Sequence, residues 1–252
     1  MPINLLCLSN GHGEDAIAIR ILEQLQQISP SLELAALPIV GEGKAYSQIG
    51  VPTIGSVKTM PSGGFIYMDG RQLVGDIKGG LLPLTLSQIK AVRNWVRKSQ
   101  KLDQKSLILA VGDLVPLLFA YYSGANYAFV GTAKSEYYLR NESGLLPRQS
   151  WFEQLESWSG SVYLPWERWL MYRSRCQAVF PRDSLTTQIL QRWLIPAYDL
   201  GNPMMDGIFP DNIRVVTERG FESDRSHLNI TLLPGSRVPE AYENWQQIVT
   251  AI

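Results

Sequence analysis

The chain has 252 residues, 45% of them hydrophobic, so it is long enough to bury one large core or two small ones. Its 23 Lys and Arg residues balance 23 Asp and Glu residues, which excludes a global basic field that would attract nucleic acid. No apolar run reaches the ~18 residues that a membrane-spanning helix needs. The N-terminus lacks the charged segment of a signal peptide, and Cys7 and Cys176 lie in apolar contexts typical of core thiols, which predicts a reducing, cytoplasmic location.

Short apolar runs alternate with helical patterns along the chain. Residues 3–9 and 32–37 predict buried strands, and residues 14–28 between them predict a helix. The later predicted elements are a helix over 86–101, a strand over 106–111, a helix over 114–123, strands over 127–130 and 177–180, a helix over 183–194 and a strand over 197–200. This strand–helix order predicts an α/β fold with a Rossmann-like parallel sheet.

Two stretches lack a clear period. Residues 58–83 are rich in glycine, and a loop of this length is usually functional or mobile. Residues 202–227 are polar with Gly and Pro, as in an interdomain linker. A strand over 228–233 and a helix from Val238 are predicted after it. The sequence therefore predicts a domain over 1–201, a linker over 202–227 and the start of a second domain over 228–252.

The segment Ser9–Asp15 follows the first predicted strand, at the edge of a parallel sheet where α/β proteins bind ligands. Gly11 and Gly13 would allow tight turns, and Glu14 suits the positive N-terminus of the next helix. His12, one of two histidines, lies between the two glycines. Both a capped turn and a ligand site fit this pattern. The three-glycine spacing of a dinucleotide fingerprint is absent.

A second strand ends at Val111-Gly112-Asp113. A carboxylate at this edge of the sheet can serve as a general base. Asp113 can equally be the N-cap of the helix over 114–123, whose start is favoured by Pro116 in its first turn. The two roles are compatible.

The run Leu228–Leu233 leads into Pro234, and the segment Leu233-Pro234-Gly235-Ser236-Arg237 precedes a predicted helix. Backbone N–H groups, the Ser236 hydroxyl and the Arg237 guanidinium can converge on a phosphate at such a turn. A plain strand–turn–helix junction with a surface arginine is the alternative.

Aromatic and basic residues are concentrated in two places. The segment over 151–172 contains Trp151, Phe152, Trp158, Tyr163, Trp166, Trp169 and Tyr172, with Arg168, Arg173 and Arg175 close by. The helix over 86–101 contains Lys90, Arg93, Arg97, Lys98 and Lys101. These patterns suit contact with anionic lipid headgroups, and core packing or a solvated helix face are the alternatives.

Together these motifs resemble the lipid-A-disaccharide synthase family, and most closely its "related" branch typical of cyanobacteria. Leu233–Arg237 resembles the opening of that family's donor domain, and Gly11–Asp15 falls where the family has a glycine-rich first loop. Val111–Asp113 falls at its Gly–acid segment. Phe180-Pro181 and Gly201–Asp206 are similar to its Phe-Pro and Gly-(His/Asn)-Pro stretches.

The resemblance implies the N-terminal domain of a GT-B fold, with only the start of the second domain. It implies an enzyme that transfers a GlcNAc-type sugar from a UDP donor to a lipid-linked acceptor, by an inverting mechanism without a metal or other cofactor. A cytoplasmic location is implied, with peripheral contact at the inner face of the membrane left open. The absence of an Asp-x-Asp pair agrees with this chemistry. The alternatives are a UDP-sugar 2-epimerase and a non-catalytic lipid-binding half-protein.

The resemblance also implies roles for individual residues. Asp113, or else His12, would be the catalytic base. The donor would be bound by Gly235, Ser236 and Arg237, and the acceptor loop would comprise Gly11, Gly13 and Glu14. The segments over 58–83 and 151–172 would hold the lipid acceptor.

Overall fold

The computed structural model describes residues 3–57, 81–141, 143–147, 158–206, 232–235 and 240–251. The chain divides into two compact units, Met1–Asp206 and Gly207–Ile252. The predicted glycine-rich loop lies largely outside the described residues, and so does most of the predicted linker.

The first unit alternates strands and helices, as the sequence predicts. Its elements are β1 (Ile3–Ser9), α1 (His12–Ile28), β2 (Glu33–Pro38), α2 (Lys44–Gln48), α3 (Leu81–Lys101), β3 (Lys105–Gly112), α4 (Leu114–Ser123), β4 (Asn126–Gly131), the hairpin β5 (Arg140–Asn141) and β6 (Gly144–Leu145), α5 (Pro165–Met171), β7 (Cys176–Phe180) and α6 (Ser184–Arg192). Single 3₁₀ turns lie at Glu136–Tyr138 and Pro203–Met205. The second unit contributes α7 (Glu240–Ala251).

Five parallel strands form the sheet, in the order β2-β1-β3-β4-β7. Isolated parallel bridges extend both edges, from Ala36 to Thr53 and from Val179 to Ala197. The two bridging segments can be counted as strands, and the strands of this sheet can then be renumbered in chain order. Their spatial order then contains 3-2-1-4-5-6, which is the Rossmann arrangement. The predicted α/β fold class with a Rossmann-like parallel sheet is therefore confirmed.

Helices cover both faces of this sheet because strand side chains alternate between them. Leu6 and Leu8 of β1 join a core with residues of α3, α4 and α5. Leu5 and Cys7 join a second core with residues of α1 and with Tyr46 of α2. Full burial of each large apolar side chain in these cores stabilises the fold by about 1.5–3 kcal/mol.

Three predicted elements differ from the structure. Helix α3 begins at Leu81, so its first residues were wrongly included in the glycine-rich loop. The predicted strand over 197–200 is reduced to one bridge at Ala197, at the sheet edge, where pairing is available on one side only. In the second unit, residues 232–235 have no regular secondary structure and Leu233 is 83% exposed, so the predicted buried strand is wrong there; residues 228–231 lie outside the described part.

Candidate functional site

The sheet has a topological switch point between β1 and β3. These neighbouring strands pair in parallel, with Ser9 opposite Val111, and their chain connections lead to opposite sides of the sheet. In open α/β sheets, ligands bind in the crevice outside the carboxyl ends of the strands at this point. The structure therefore brings together the two loops that carry the predicted residues Gly11–Glu14 and Asp113.

In the first loop, the two glycines have different roles. Gly11 is the N-cap of α1 with φ +130°, a conformation that favours glycine, and its carbonyl accepts a 2.8 Å hydrogen bond from the Asp15 backbone N–H. Gly13 lies inside α1, and a Cβ built on it meets nothing within 4 Å. The prediction that Gly13 forms a tight turn is therefore wrong, because the helix begins one residue earlier. His12 is the first residue of α1, and its side chain lies outside the described part.

A buried hydrogen-bond network supports the first loop from below. The Ser9 hydroxyl donates its one proton to Asp15 Oδ1 at 2.5 Å. The Tyr46 hydroxyl lies 2.5 Å from the Ser9 hydroxyl, so at this second contact Tyr46 is the donor and Ser9 the acceptor. All three residues are at most 5% exposed. Burial also raises the pKa of the neighbouring Cys7 thiol to about 12, which keeps that thiol protonated and unreactive. Asp15 thus fixes α1 against β1 and α2.

Asp113 occupies the second loop and caps α4. Its Oδ1 accepts the Val115 backbone N–H at 3.0 Å, and the Asn10 side-chain amide approaches the same oxygen at 3.4 Å. The residue is 8% exposed. Burial raises the pKa of the Asp113 carboxyl above its usual value and the negative charge of Glu167 adds to this, while the Val115 N–H and Lys134 act in the opposite direction. The N-cap role of Asp113 is confirmed, and its role as a general base stays a prediction.

Glu14 lies directly beside Asp113. Gly112 has φ +134°, and a Cβ added there would lie 3.1 Å from Glu14 Cγ, so the Glu14 side chain packs on the backbone of Gly112. The Gly112 carbonyl also accepts a 3.1 Å hydrogen bond from the Thr132 N–H, which ties in the loop after β4. Two buried carboxylates, one from each predicted loop, therefore lie at the carboxyl ends of β1 and β3.

Sequence reasoning missed an ion pair next to this site. Lys134 Nζ donates to both carboxylate oxygens of Glu167, at 2.8 and 2.6 Å. Glu167 is 1% exposed and also accepts the Leu164 backbone N–H at 2.8 Å. The partners are 33 residues apart, and the only sequence signal is an acid just inside the helix that begins at Pro165. Both charges act on Asp113, so the pair belongs to the site electrostatically.

The predicted donor residues belong to the second unit. Gly235 has φ +97° and is exposed, as a turn glycine would be. The Asn244 side chain donates to the Pro234 carbonyl at 3.0 Å, which ties this turn to α7. Ser236 and Arg237 lie outside the described residues. Their grouping with Asp113 stays a prediction.

Most of the predicted aromatic cluster is exposed. Trp158, Trp166, Trp169 and Tyr172 are between 47% and 81% exposed, whereas Tyr163 is buried. Trp151 and Phe152 lie outside the described residues. Core packing therefore accounts for Tyr163 but not for the exposed parts of the other four rings.

Within the described ranges, no group of three His, Cys, Asp or Glu side chains is placed to hold a metal ion. None of the helices in those ranges has the length and apolar character to cross a membrane.

No known protein-family profile matches the chain, and no curated protein sequence matches it. Among solved structures, it is similar to MurG from Acinetobacter baumannii, with 14% identity and a TM-score of 0.34 over 73% of this chain and 42% of that one. It is also similar to a UGT transferase from Siraitia grosvenorii in complex with UDP, with 8% identity and a TM-score of 0.42 over 79% of this chain and 51% of that one. The chain thus spans about half or less of each, and neither likeness assigns it an activity.

Proposed function

We propose that the chain is the acceptor-side domain, with the start of the donor domain, of an inverting GT-B glycosyltransferase. It would transfer a GlcNAc-type sugar from a UDP donor to a lipid-linked acceptor, as the resemblance to lipid-A-disaccharide synthases implies. The observation that carries the proposal is Asp113, a buried carboxylate with a raised pKa at the switch point of a Rossmann-like sheet. A group of this kind in a crevice is a strong candidate for a general base.

The geometry of Asp113 suits proton abstraction. The hydrogen bonds from Val115 and Asn10 both use Oδ1, and we propose that Oδ2 accepts from the substrate hydroxyl. Fixing one oxygen to the start of α4 holds the other in a defined position. The raised pKa brings the carboxylate closer to the pKa at which a base works best near neutral pH.

The proposed reaction is a single displacement. As Asp113 takes the proton of the acceptor hydroxyl, the hydroxyl oxygen forms a bond to the anomeric carbon of the sugar. The bond between that carbon and the diphosphate oxygen breaks, and its electron pair leaves with UDP. Attack opposite the leaving group inverts the anomeric configuration.

Lys134 and Glu167 would set the basicity of Asp113 during this step. The ammonium of Lys134 stabilises the ionised carboxylate, and Glu167 opposes it. Because Lys134 is held by both oxygens of Glu167, its charge stays in one place while Asp113 changes protonation. The pair would therefore position charge rather than touch the substrate.

The departing diphosphate would be held by the turn at Gly235, Ser236 and Arg237. The positive φ of Gly235 supports a turn there, and α7 begins three residues after Arg237. A helix N-terminus and a forked guanidinium both favour phosphate oxygens. Charge stabilisation of this kind can be the largest catalytic term.

The direct test is UDP release from UDP-GlcNAc by the full-length enzyme, with both proposed domains present and a membrane lipid extract as the acceptor source. The proposal expects release that requires both the lipid and Asp113. UDP release at the level of the blank would overturn it. Conversion of UDP-GlcNAc to its 2-epimer without lipid would instead support an epimerase. If His12→Ala abolished release while Asp113→Asn did not, the base would be His12.

A further inference from the structure

Helices α3, α4 and α5 lie side by side on one face of the sheet. The Arg93 guanidinium of α3 donates to the Tyr122 carbonyl of α4 at 2.9 Å. The Trp169 ring of α5 packs on Tyr121 of α4, with centroids 5.4 Å apart. With 21 residues in α3, the layer is roughly 30 Å long, and three helices spaced about 10 Å apart make it roughly 20 Å across between the outer axes. We name the outward face of these helices and of residues 172–175 the α3–α5 surface.

The charges on the α3–α5 surface have one sign. Helix α3 has no Asp or Glu and carries five exposed cations, Lys90, Arg93, Arg97, Lys98 and Lys101. Helix α4 has no charged residue, and the turn after α5 adds Arg173 and Arg175. The single acid within these elements, Glu167, is buried and paired with Lys134. In a chain with zero net charge, this concentrates positive potential on one face.

Exposed aromatic rings lie among these cations. Tyr122, Trp166, Trp169 and Tyr172 are between 46% and 57% exposed. The Arg173 guanidinium lies 4.5 Å from the centroid of the Trp169 ring, and the Arg175 guanidinium 5.2 Å from that of Tyr121. Trp and Tyr prefer the boundary between lipid headgroups and water, where an apolar ring and a polar tip are both satisfied.

We propose that the α3–α5 surface binds the anionic headgroup region of a membrane. A layer of helices is broad and fits an extended, flat partner, whereas single-stranded nucleic acid is normally bound in a groove. Cations attract the anionic lipid and Trp and Tyr rings enter the interface, and the described surface exposes no carboxylate to oppose either.

The surface also borders the candidate site. Helix α4 begins directly after Asp113, and Glu167 lies in the first turn of α5. Binding at this surface would place the crevice next to the lipid, where a lipid-linked acceptor is found. Membrane binding does not depend on the proposed glycosyl transfer, so it is tested by binding rather than by activity.

The experiment is flotation of the full chain with vesicles of phosphatidylcholine alone and of phosphatidylcholine mixed with phosphatidylglycerol. We expect at least tenfold stronger binding to the anionic vesicles, weakening as salt rises from ~0.1 M to ~0.5 M. Replacing Arg97, Lys98 and Lys101 with Gln should weaken binding about 100-fold, because each cation near an anionic surface contributes about fivefold.

A matched control carries the same change in net charge on the opposite face of the sheet. Gln24→Glu and Gln27→Glu on α1 with Lys44→Gln on α2 also lower the net charge by three units, and should leave vesicle binding within about threefold. For the rings, Trp166→Ser with Tyr172→Ser should weaken binding about tenfold, whereas Ile28→Ser on α1, a residue that is 78% exposed, should not.

Four results would overturn the proposal: no binding to anionic vesicles, equal binding to both vesicle types, equal loss in the three-cation variant and its control, or no loss on removing the two rings. If a single-stranded oligonucleotide binds while vesicles do not, and the three-cation variant loses this binding, the surface would be assigned to nucleic acid. Unchanged melting temperatures would exclude misfolding as the cause of any loss.

Discussion

The Asn10 amide nitrogen lies 3.4 Å from Asp113 Oδ1, and this contact spans the switch point between β1 and β3. It joins two loops that are 103 residues apart in the chain. An amide N–H that donates to a carboxylate favours its ionised form. Asn10 therefore links the geometry of the crevice to the protonation of the proposed base.

Replacing Asn10 with Ala should move the acidic limb of the pH–rate profile to higher pH. The substitution removes a donor from the ionised Asp113, so the pKa of its carboxyl rises further and the active, deprotonated form is lost earlier on acidification. Asn4→Ala is a matched control, because Asn4 is a buried amide near the start of β1, away from Asp113, and donates to Gln104. An acidic limb that moves equally in both variants would contradict the role of Asn10.

Asp113→Asn should preserve or raise stability near neutral pH while lowering activity. The pKa of Asp113 is raised in the folded state, so the folded protein binds more protons than the unfolded chain between the unfolded and the folded pKa values. The contribution of Asp113 to the free energy of unfolding is fully present below the pKa of about 4 that this carboxyl has in the unfolded chain. It is lost as the pH rises through the higher pKa of the folded state. Asn retains the cap without the buried charge, for a gain on the order of 1 kcal/mol.

Thermal unfolding of the wild type and Asp113→Asn across pH measures this directly. The difference between their melting temperatures should shrink as pH falls below about 4, where the carboxyl is protonated in both states. A difference that grows on acidification would show that the sign of the shift is wrong.

Replacing Lys134 should destabilise the fold more than replacing Glu167, its partner in the buried ion pair. Lys134→Met leaves the Glu167 carboxyl at 1% exposure without its cation, for a loss of about 3–5 kcal/mol. Glu167→Gln leaves Lys134, whose side chain is 18% exposed and can reach water, so the loss should be smaller. Urea unfolding of both variants and of the double variant checks this. The double variant should recover part of the loss, and a simple sum of the two losses would contradict the coupling.

Two glycines at this edge of the sheet should respond oppositely to Ala. At Gly131 an added Cβ would collide with the hydroxyl of Tyr163, which is buried and has little room to move, so Gly131→Ala should destabilise by about 1–3 kcal/mol. Gly13 lies in α1 with open space around it, so Gly13→Ala should stabilise by up to about 1 kcal/mol. Equal melting temperatures for the two variants would refute this difference.

Local signals explain why much of the fold was predictable. Helix α4 was predicted with its observed bounds, from Asp113 as its cap and Pro116 in its first turn, and the structure shows that Gly124 ends it with φ +85°. Strands β1 and β3 were evident as apolar runs ending at polar residues. The meeting of their two loops follows from parallel pairing, so the position of Asp113 beside the first loop could be inferred from the sequence.

What the sequence left undetermined depends on contacts between distant segments. The Lys134–Glu167 pair forms because the chain between β4 and α5 folds back, and no local pattern encodes that return. Whether Trp166 and Trp169 are buried or exposed depends on which face of α5 meets α4. Gly13 was placed outside α1 because the predicted helix start, residue 14, lies two residues after the observed start at His12, which is within the usual ambiguity of helix ends.

The central claim is that Asp113 acts as a base at the switch point and is more than a helix cap. Asp183 offers the matched comparison, because it also follows a strand and caps a helix, accepting the Thr186 N–H at 2.8 Å. UDP release from UDP-GlcNAc with lipid acceptor should be measured for Asp113→Asn and Asp183→Asn in the full-length enzyme, with both proposed domains present. We predict a fall in kcat of about 10²–10⁴-fold for Asp113→Asn and less than about twofold for Asp183→Asn. Equal rates for the two variants would contradict the account.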